Sequence, residues 1–135
     1  MKVGILIIAH DQLGQVLLDT AAGTLGTLPL PARTLAVSRD EDPDVLVERA
    51  RELVRELDSG AGVLVLTDMY GSTPGNIACR LLHEDNVQVI AGANLPMLFR
   101  VFNYPDLGLS ALAEKAVTGG SAGVLYCGEQ PRPPQ

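Results

Sequence analysis

The strands that this sequence predicts are marked by short, uninterrupted runs of apolar residues. The runs at 2–9 and 63–67 contain almost no polar positions. Such a pattern is typical of a strand covered on both faces, because a strand with one face in water alternates between apolar and polar residues. Similar runs at 34–37, 87–91 and 122–127 predict three more strands.

Apolar residues at helical spacing fill the segments between these strands. Helices are predicted over 12–22, 43–57, 74–84, 95–103 and 107–118. Asp42 followed by Pro43 is a typical helix start, since an aspartate side chain caps free amides and proline fits the first turn. Thr73 followed by Pro74 repeats this pattern, which makes Thr73 the expected cap of the third helix.

Strands that alternate with helices on short connections predict an α/β fold. We expect a single doubly wound domain over residues 1–127, with a mostly parallel sheet and helices on both faces. Residues 128–135 contain three prolines and are predicted to form a disordered tail.

The charge of the chain argues against nucleic acid as a partner. Among its 135 residues, 16 Asp and Glu outnumber 10 Lys and Arg, for a formal net charge of -6. Binding to a phosphate backbone needs clustered basic residues, and stacking on bases needs aromatic side chains. The sequence has only three Tyr and two Phe, and no Trp. We therefore expect no nucleic-acid partner.

The apolar runs and the cysteines are both typical of a cytoplasmic protein. No run reaches the ~18 residues that a membrane-spanning helix needs. The first run ends at His10 without a small-residue cleavage site, so we interpret it as a strand rather than a secretion signal. Cys79 and Cys127 stand in apolar surroundings and are expected to be reduced, buried thiols. These features predict a protein that is not inserted in a membrane.

Candidate chemistry follows the apolar strands. In a parallel sheet, ligands gather at the carboxyl ends of the strands, near the point where the strand order reverses. This rule selects residues 9–11, 68–73 and 92–96, and it places His10 near Asp68. A carboxylate that accepts the Nδ1 proton leaves Nε2 free as a nucleophile or base. Alternatively, His10 could bond a backbone carbonyl and Asp68 could serve only a turn or helix cap.

The segment 71–75 predicts an anion site at a helix start. Ser72 and Thr73 supply hydroxyls, and the free amides and helix dipole attract a phosphoryl group. No lysine follows the glycines, and no Gly-x-Gly-x-x-Gly follows the first strand, so a nucleotide is not the expected ligand.

The number and positions of the histidines argue against a metal site and against a serine hydrolase. His83 lies among Glu84, Asp85 and Asn86, and we expect a solvated, structural role for it. A metal site built from His10, Asp68 and His83 would lack cysteine or Glu-x-x-His spacing, so no metal is expected. A serine hydrolase is also disfavoured, because the late histidine of such an enzyme is missing.

Together these residues resemble the mannose-type enzyme IIA domains of the bacterial phosphoenolpyruvate-dependent phosphotransferase system. The resemblance lies in three blocks, which are the first strand ending at His10, residues 68–80 and residues 89–98. Their order and spacing extend the similarity from residue 1 to about residue 125.

The resemblance implies that His10 is phosphorylated by the carrier protein HPr and passes the group to a histidine of an enzyme IIB, with no cofactor. Asp68 matches the aspartate that orients the histidine ring. Thr73 occupies the usual serine position of a Gly-Gly-Ser-Pro loop and Ser72 replaces a glycine, so either hydroxyl could contact the phosphoryl group. The family fold also implies a homodimer that exchanges an antiparallel last strand.

The biological setting is left open by the resemblance. The enzyme IIB is expected to be a separate chain, and the relay could serve sugar uptake, with peripheral association with a transporter complex, or regulation. One alternative is the phosphotransfer subunit of a dihydroxyacetone kinase, although residues 94–98 favour the sugar branch. Another is a non-catalytic regulatory binding domain, which would have no need of both His10 and Asp68.

Overall fold

Within residues 1–128, the sheet consists of four parallel strands. The computed structural model describes residues 1–128, so the predicted tail lies, apart from Gly128, outside the described residues. The strands are β1 (Gly4–His10), β2 (Ala32–Val37), β3 (Val63–Thr67) and β4 (Val87–Ala91). They pair in the order β2-β1-β3-β4, and every pairing is parallel. The predicted α/β class is therefore confirmed.

In the described part of the chain, five α-helices cover the two faces of this sheet. They are α1 (Leu13–Leu25), α2 (Pro43–Leu57), α3 (Thr73–Arg80), α4 (Leu95–Phe102) and α5 (Leu109–Ala122), and a 3-10 turn follows α3 at Leu81–His83. One hydrophobic cluster joins the sheet to α1, α4 and α5, and a second joins it to α2 and α3. Because β1 is central and contributes to both clusters, it is apolar along its whole length.

Helix α5 is longer than the sequence predicts. Gly119 and Gly120 suggest a helix end, but α5 continues through Ala122. Both glycines face α4, and a Cβ at Gly120 would lie 2.9 Å from the Met97 side chain. The two glycines therefore permit close packing of α5 on α4 and do not break the helix.

The strand predicted at 122–127 is not formed within the described chain. Residues 124–126 follow α5 without joining the sheet. Val124, Leu125 and Tyr126 remain 78%, 80% and 63% exposed. An apolar run predicts a strand only where another strand can pair with it, and the sequence carries no signal for that neighbour.

The cysteines differ from each other in exposure. Both are free thiols; Cys79 is half-buried on α3, whereas Cys127 is exposed. The prediction that Cys127 is buried is therefore wrong, because the segment that contains it packs in no layer of the fold. Within residues 1–128, no helix is long and apolar enough to cross a membrane.

Thr67, the last residue of β3, carries a buried hydroxyl without a hydrogen-bond partner in residues 1–128. Burial of an unsatisfied hydroxyl destabilises a fold, whereas an isosteric methyl group does not. We expect Thr67→Val to increase the free energy of unfolding by about 1 kcal/mol, measured by urea denaturation. The reciprocal control, Val65→Thr on the same face of β3, should lower it. A less stable Thr67→Val protein would contradict this account.

Candidate functional site

The candidate site lies where the strand order reverses. From β1 the chain moves to β2 on one side of the sheet, and it later returns to β3 on the other side of β1. His10 is the last residue of β1, and Asp68 directly follows β3. Ile8 and Thr67 are register partners, so His10 and Asp68 lie together at the carboxyl ends of β1 and β3. A doubly wound sheet binds ligands beyond these strand ends.

The structure brings His10 and Asp68 into direct contact. Nδ1 of His10 lies 2.6 Å from Oδ2 of Asp68, and the backbone amide of His10 donates to the same oxygen at 3.0 Å. The amide of Met69 donates to Oδ1 at 3.0 Å. An ionised carboxylate can only accept hydrogen bonds, so Nδ1 carries the proton of the neutral imidazole, and Nε2 of that form keeps a free lone pair.

The two partners differ in their access to solvent. The side chain of Asp68 is only 8% exposed, whereas that of His10 is 47% exposed. Burial by itself would raise the pKa of Asp68, but hydrogen bonds from the amide and ring of His10, together with attraction to that ring, hold this pKa below its ordinary value of 3.8. Asp68 is therefore a buried, ionised carboxylate that holds the solvent-accessible imidazole of His10 by a hydrogen bond.

The chain turns sharply directly after His10. Asp11 has a φ of 47°, in the left-handed region that few residues other than glycine adopt. Its amide donates to the carbonyl of Val37 at the end of β2, at 3.0 Å. A backbone of this kind costs on the order of 1 kcal/mol and is found most often at functional sites.

The loop before α3 is built around Ser72 and not around Thr73. Ser72 Oγ accepts a hydrogen bond from the amide of Gly75 at 3.2 Å and donates one to the carbonyl of Met69 at 2.6 Å. A Cβ at Gly75 would lie 2.5 Å from that carbonyl oxygen, so only glycine fits there. The predicted cap is therefore wrong by one residue, and Thr73 is the first residue of the helix.

A cleft of about 450 Å³ opens beside His10. Its lining residues are His10, Asp11, Val37, Ser38, Arg39, Glu41, Pro43, Thr73 and Pro74. Thr73 thus shares the cleft with His10, while the hydroxyl of Ser72 is occupied by the helix cap. Of the two candidate hydroxyls, the structure leaves that of Thr73 available to a ligand on His10.

The loop between β2 and α2 contributes residues that the sequence reasoning missed. Ser38, Arg39 and Glu41 all line the cleft. Glu41 Oε1 accepts hydrogen bonds from the amide of Ser38 at 3.1 Å and from its hydroxyl at 2.9 Å. The available signal was the carboxyl end of a predicted parallel strand at 34–37, the same signal that selected His10.

Residues 92–96 do not join the site, although the sequence reasoning selected them. Asn94 Oδ1 accepts a hydrogen bond from the amide of Met97 at 2.9 Å and so caps α4. Its Nδ2 donates to the carbonyl of Gly120 at 3.2 Å, which ties α4 to α5. The preceding strand, β4, is separated from β1 by β3. Asn94 is therefore a structural residue.

The second histidine lies apart from this cleft. His83 is exposed at the end of the 3-10 turn, as expected for a solvated side chain. Within the part of the chain that the structure describes, no group of three His, Cys, Asp or Glu residues could hold a metal ion.

Comparison with known proteins identifies the family of the chain. A family model described as PTS system fructose IIA component matches residues 4–117. The chain is 32% identical over 127 residues to the PTS system mannose-specific EIIAB component of Escherichia coli K12. That match covers 92% of this chain and 39% of the relative, so the chain spans about two fifths of the relative's length.

Solved structures share the fold over almost the whole chain. The PTS IIA protein associated with the fucose utilization operon of Streptococcus pneumoniae has 29% identity and a TM-score of 0.80, with 93% of each chain covered. The mannose/sorbose specific IIA subunit of Enterococcus faecalis has a TM-score of 0.83 over 99% of this chain and 100% of its own, and at 22% identity it shows the fold alone. The chain therefore belongs to the mannose-type enzyme IIA family of the phosphotransferase system.

Proposed function

We propose that this protein is a phosphohistidine relay of the sugar phosphotransferase system. His10 accepts a phosphoryl group from phospho-HPr and passes it to a histidine of an enzyme IIB. Membership of the enzyme IIA family supports a phosphotransfer component of this system. The observation that carries the proposal is the 2.6 Å contact between His10 Nδ1 and Asp68, because it leaves Nε2 as an accessible nucleophile.

The transfer step needs no proton movement at His10. The lone pair of Nε2 attacks phosphorus in line with the donor P–N bond, and the electron pair of that bond returns to the donor imidazole. The His10 ring then carries a phosphoryl group on Nε2 and a proton on Nδ1, so it gains positive charge. The carboxylate of Asp68 stabilises that charge at short range. The reverse sequence delivers the group to the next histidine.

The start of α3 can stabilise the transferring group. Phosphoryl transfer depends on positioning and charge stabilisation more than on covalent assistance by the protein. The dipole of α3 favours an anion at the start of the helix, and Thr73 lines the same cleft as His10. Thr73 is therefore the proposed hydroxyl contact, and Ser72 holds the loop.

Substitutions of Ser72 and Thr73 should distinguish the roles of the two hydroxyls. Ser72→Ala removes the helix cap and is expected to lower the free energy of unfolding by about 1 kcal/mol with little change in transfer rate. Thr73→Val is expected to slow transfer from phospho-HPr about tenfold at unchanged stability, because a hydrogen bond to a charged group is lost. Thr73→Ser, which retains the hydroxyl, should restore the rate. The opposite division of effects would reverse the two assignments.

We also infer that the protein is a homodimer in which residues 122–127 pair with β4 of the other copy. The outer edge of β4 has no partner strand among the described residues. A groove of about 420 Å³ between β4 and α5, lined in part by Ile90 and Val117, lies open beside it. Leu125 and its two apolar neighbours are exposed within one chain, and exchange would bury them.

Analytical ultracentrifugation of variants with one substitution each tests the proposed dimer. Leu125→Asp is expected to convert the dimer into monomers, because a carboxylate would be buried against an apolar groove. Leu82→Asp is the matched control, since Leu82 is 56% exposed on the 3-10 turn, and it should leave the dimer intact. A monomeric wild-type protein would exclude strand exchange.

The relay itself is tested by reconstitution. The protein is incubated with phosphoenolpyruvate, enzyme I and HPr, and its intact mass is followed before and after acid treatment. We expect one phosphoryl group per chain, stable to base and lost in acid, and transferable to an enzyme IIB. No adduct on the wild-type protein would refute the relay.

A further inference from the structure

Among the residues that the structure describes, the cleft beside His10 is lined by one arginine, and that arginine has no ion-pair partner. Arg39, in the loop between β2 and α2, lines the cleft and is exposed. It follows the same strand end as Asp40, Glu41 and Asp42, yet within residues 1–128 it forms no ion pair or side-chain hydrogen bond with any of them. By contrast, each of four other arginines binds a carboxylate: Arg33, Arg49, Arg51 and Arg80.

Glu41, the acidic residue of this loop that lines the cleft, is already hydrogen-bonded. Glu41 Oε1 accepts two hydrogen bonds from Ser38, one from its amide and one from its hydroxyl. This arrangement holds the carboxylate in the turn. The guanidinium of Arg39 therefore remains available for an anion that arrives in the cleft.

Phosphorylation of His10 would bring such an anion. A phosphoryl group carries close to two negative charges at neutral pH. The other charged residues that line the cleft, Asp11 and Glu41, are both acidic, and the ionised Asp68 stands behind the ring. Without a cation, these carboxylates would oppose the phosphorylated state. Within residues 1–128, Arg39 is the only Lys or Arg that lines the cleft.

The chemistry of arginine fits this task. A guanidinium presents several N–H donors in a plane and binds phosphate oxygens through paired, charge-assisted hydrogen bonds. The loop that contains Arg39 and the start of α3 that contains Thr73 both line the cleft with His10. A phosphoryl group on Nε2 would therefore meet a full positive charge from one loop, and Thr73 at the positive end of a helix dipole from the other.

We propose that Arg39 is the phosphoryl-binding cation of this site, which binds the oxygens of the group on His10 and stabilises the charge that develops during transfer. This role rests on the phosphohistidine relay proposed above and adds a catalytic residue to it. Arg39 lies in the loop after β2, on the opposite side of β1 from β3 and Asp68, so the two residues act on different parts of the phosphorylated histidine. Asp68 acts on the ring, and Arg39 acts on the phosphoryl oxygens.

The test compares Arg39→Gln and Arg39→Lys with Arg55→Gln. Arg55 is a matched control because it is exposed on α2, forms no ion pair within residues 1–128, and does not line the cleft. Transfer from phospho-HPr is measured as kcat and KM separately. We expect Arg39→Gln to lower kcat about 100-fold with little change in KM, as for the loss of one charged donor to a transition state. Arg39→Lys should recover part of the rate, and Arg55→Gln should match the wild type.

A second measurement reports on the phosphorylated protein itself. The phosphorus NMR signal of phospho-His10 is followed against pH in the wild type and in Arg39→Gln. A bound cation favours the dianionic phosphoryl group, so its titration should move to higher pH when Arg39 is replaced. Urea denaturation should be unchanged, since an exposed and unpaired side chain contributes little to stability.

The outcomes separate this role from the relay. Phosphorylation of the wild type on His10 reports on the relay, and the Arg39 variants report on the cation. A normal kcat in Arg39→Gln, with an unchanged phosphorus titration, would overturn the assignment and leave the relay intact. A raised KM alone, with altered salt dependence, would make Arg39 a docking residue and would also overturn it. A wild type that takes no phosphoryl group would refute both.

Discussion

Replacement of His10 by glutamine is expected to abolish phosphorylation of the protein by phospho-HPr. The variant lacks the imidazole at the switch point of the sheet, and among the described residues that line the cleft the one other side-chain nitrogen group, the guanidinium of Arg39, is protonated and therefore a poor nucleophile. Glutamine is preferred to alanine because it keeps a polar side chain of similar size in place of the ring and offers no nucleophilic nitrogen. Intact mass after incubation with phosphoenolpyruvate, enzyme I and HPr measures the result.

The second histidine supplies the control. His83→Gln removes the other imidazole of the chain, which is exposed and lies outside the cleft, and it should be phosphorylated like the wild type. Denaturation curves for both variants should be close to that of the wild type, so that a lost adduct reports chemistry and not unfolding. An acid-labile adduct that persists in His10→Gln would place the acceptor elsewhere and refute the assigned role of His10.

Asp68→Asn is expected to slow transfer by about 100-fold or more while leaving the domain folded. Both carboxylate oxygens of Asp68 accept hydrogen bonds from backbone amides. An asparagine must therefore turn its NH₂ group toward one of these donors. If that group faces His10, Nδ1 must become the acceptor and Nε2 must take the proton. In either orientation the negative charge that stabilises the phosphorylated ring is lost.

The matched control is Asp44→Asn, since Asp44 pairs with Arg80 on the surface at 3.0 Å and lies outside the cleft. Its transfer rate should equal that of the wild type. A normal rate in Asp68→Asn would show that the carboxylate has no orienting role, although His10 could still be the acceptor.

The pH dependence of stability gives Asp68→Asn an independent readout. Folding lowers the pKa of Asp68, so its carboxylate stabilises the native state above its unfolded pKa of 3.8. That contribution is lost as the pH falls through the lower, folded pKa. The stability difference between the wild type and Asp68→Asn should therefore be largest near neutral pH and should shrink below pH 3.8. A difference independent of pH would contradict the charge-based role.

Much of the fold could be predicted because its signals are local. Continuous apolar runs identified β1 and β3, since a strand buried on both faces has no polar side. Asp42 and Pro43 located the start of α2, where the Asp42 carboxylate accepts from the amide of Asp44 at 2.9 Å. The strand-end rule then selected His10 and Asp68, because parallel strands bring their carboxyl ends to one edge.

The remaining features depend on contacts between distant parts of the chain. Ser72 and Thr73 both carry a hydroxyl at a helix start, and only the backbone path around Gly75 decides that Ser72 forms the cap. Arg39 lies in an acidic stretch whose sequence is typical of a solvent-exposed loop. Its place in the cleft follows from the pairing of β2 with β1.

The sequence by itself determined the alternation of strands and helices and the two residues at the centre of the site. Hydrogen bonding within helices, apolar periodicity and caps act over a few neighbouring residues, so they can be read locally. The tertiary structure alone decided the order β2-β1-β3-β4, and with it the cleft that joins Arg39, His10 and Thr73. Strand order is set by which apolar faces pack together across long stretches of chain, and no local pattern encodes that choice.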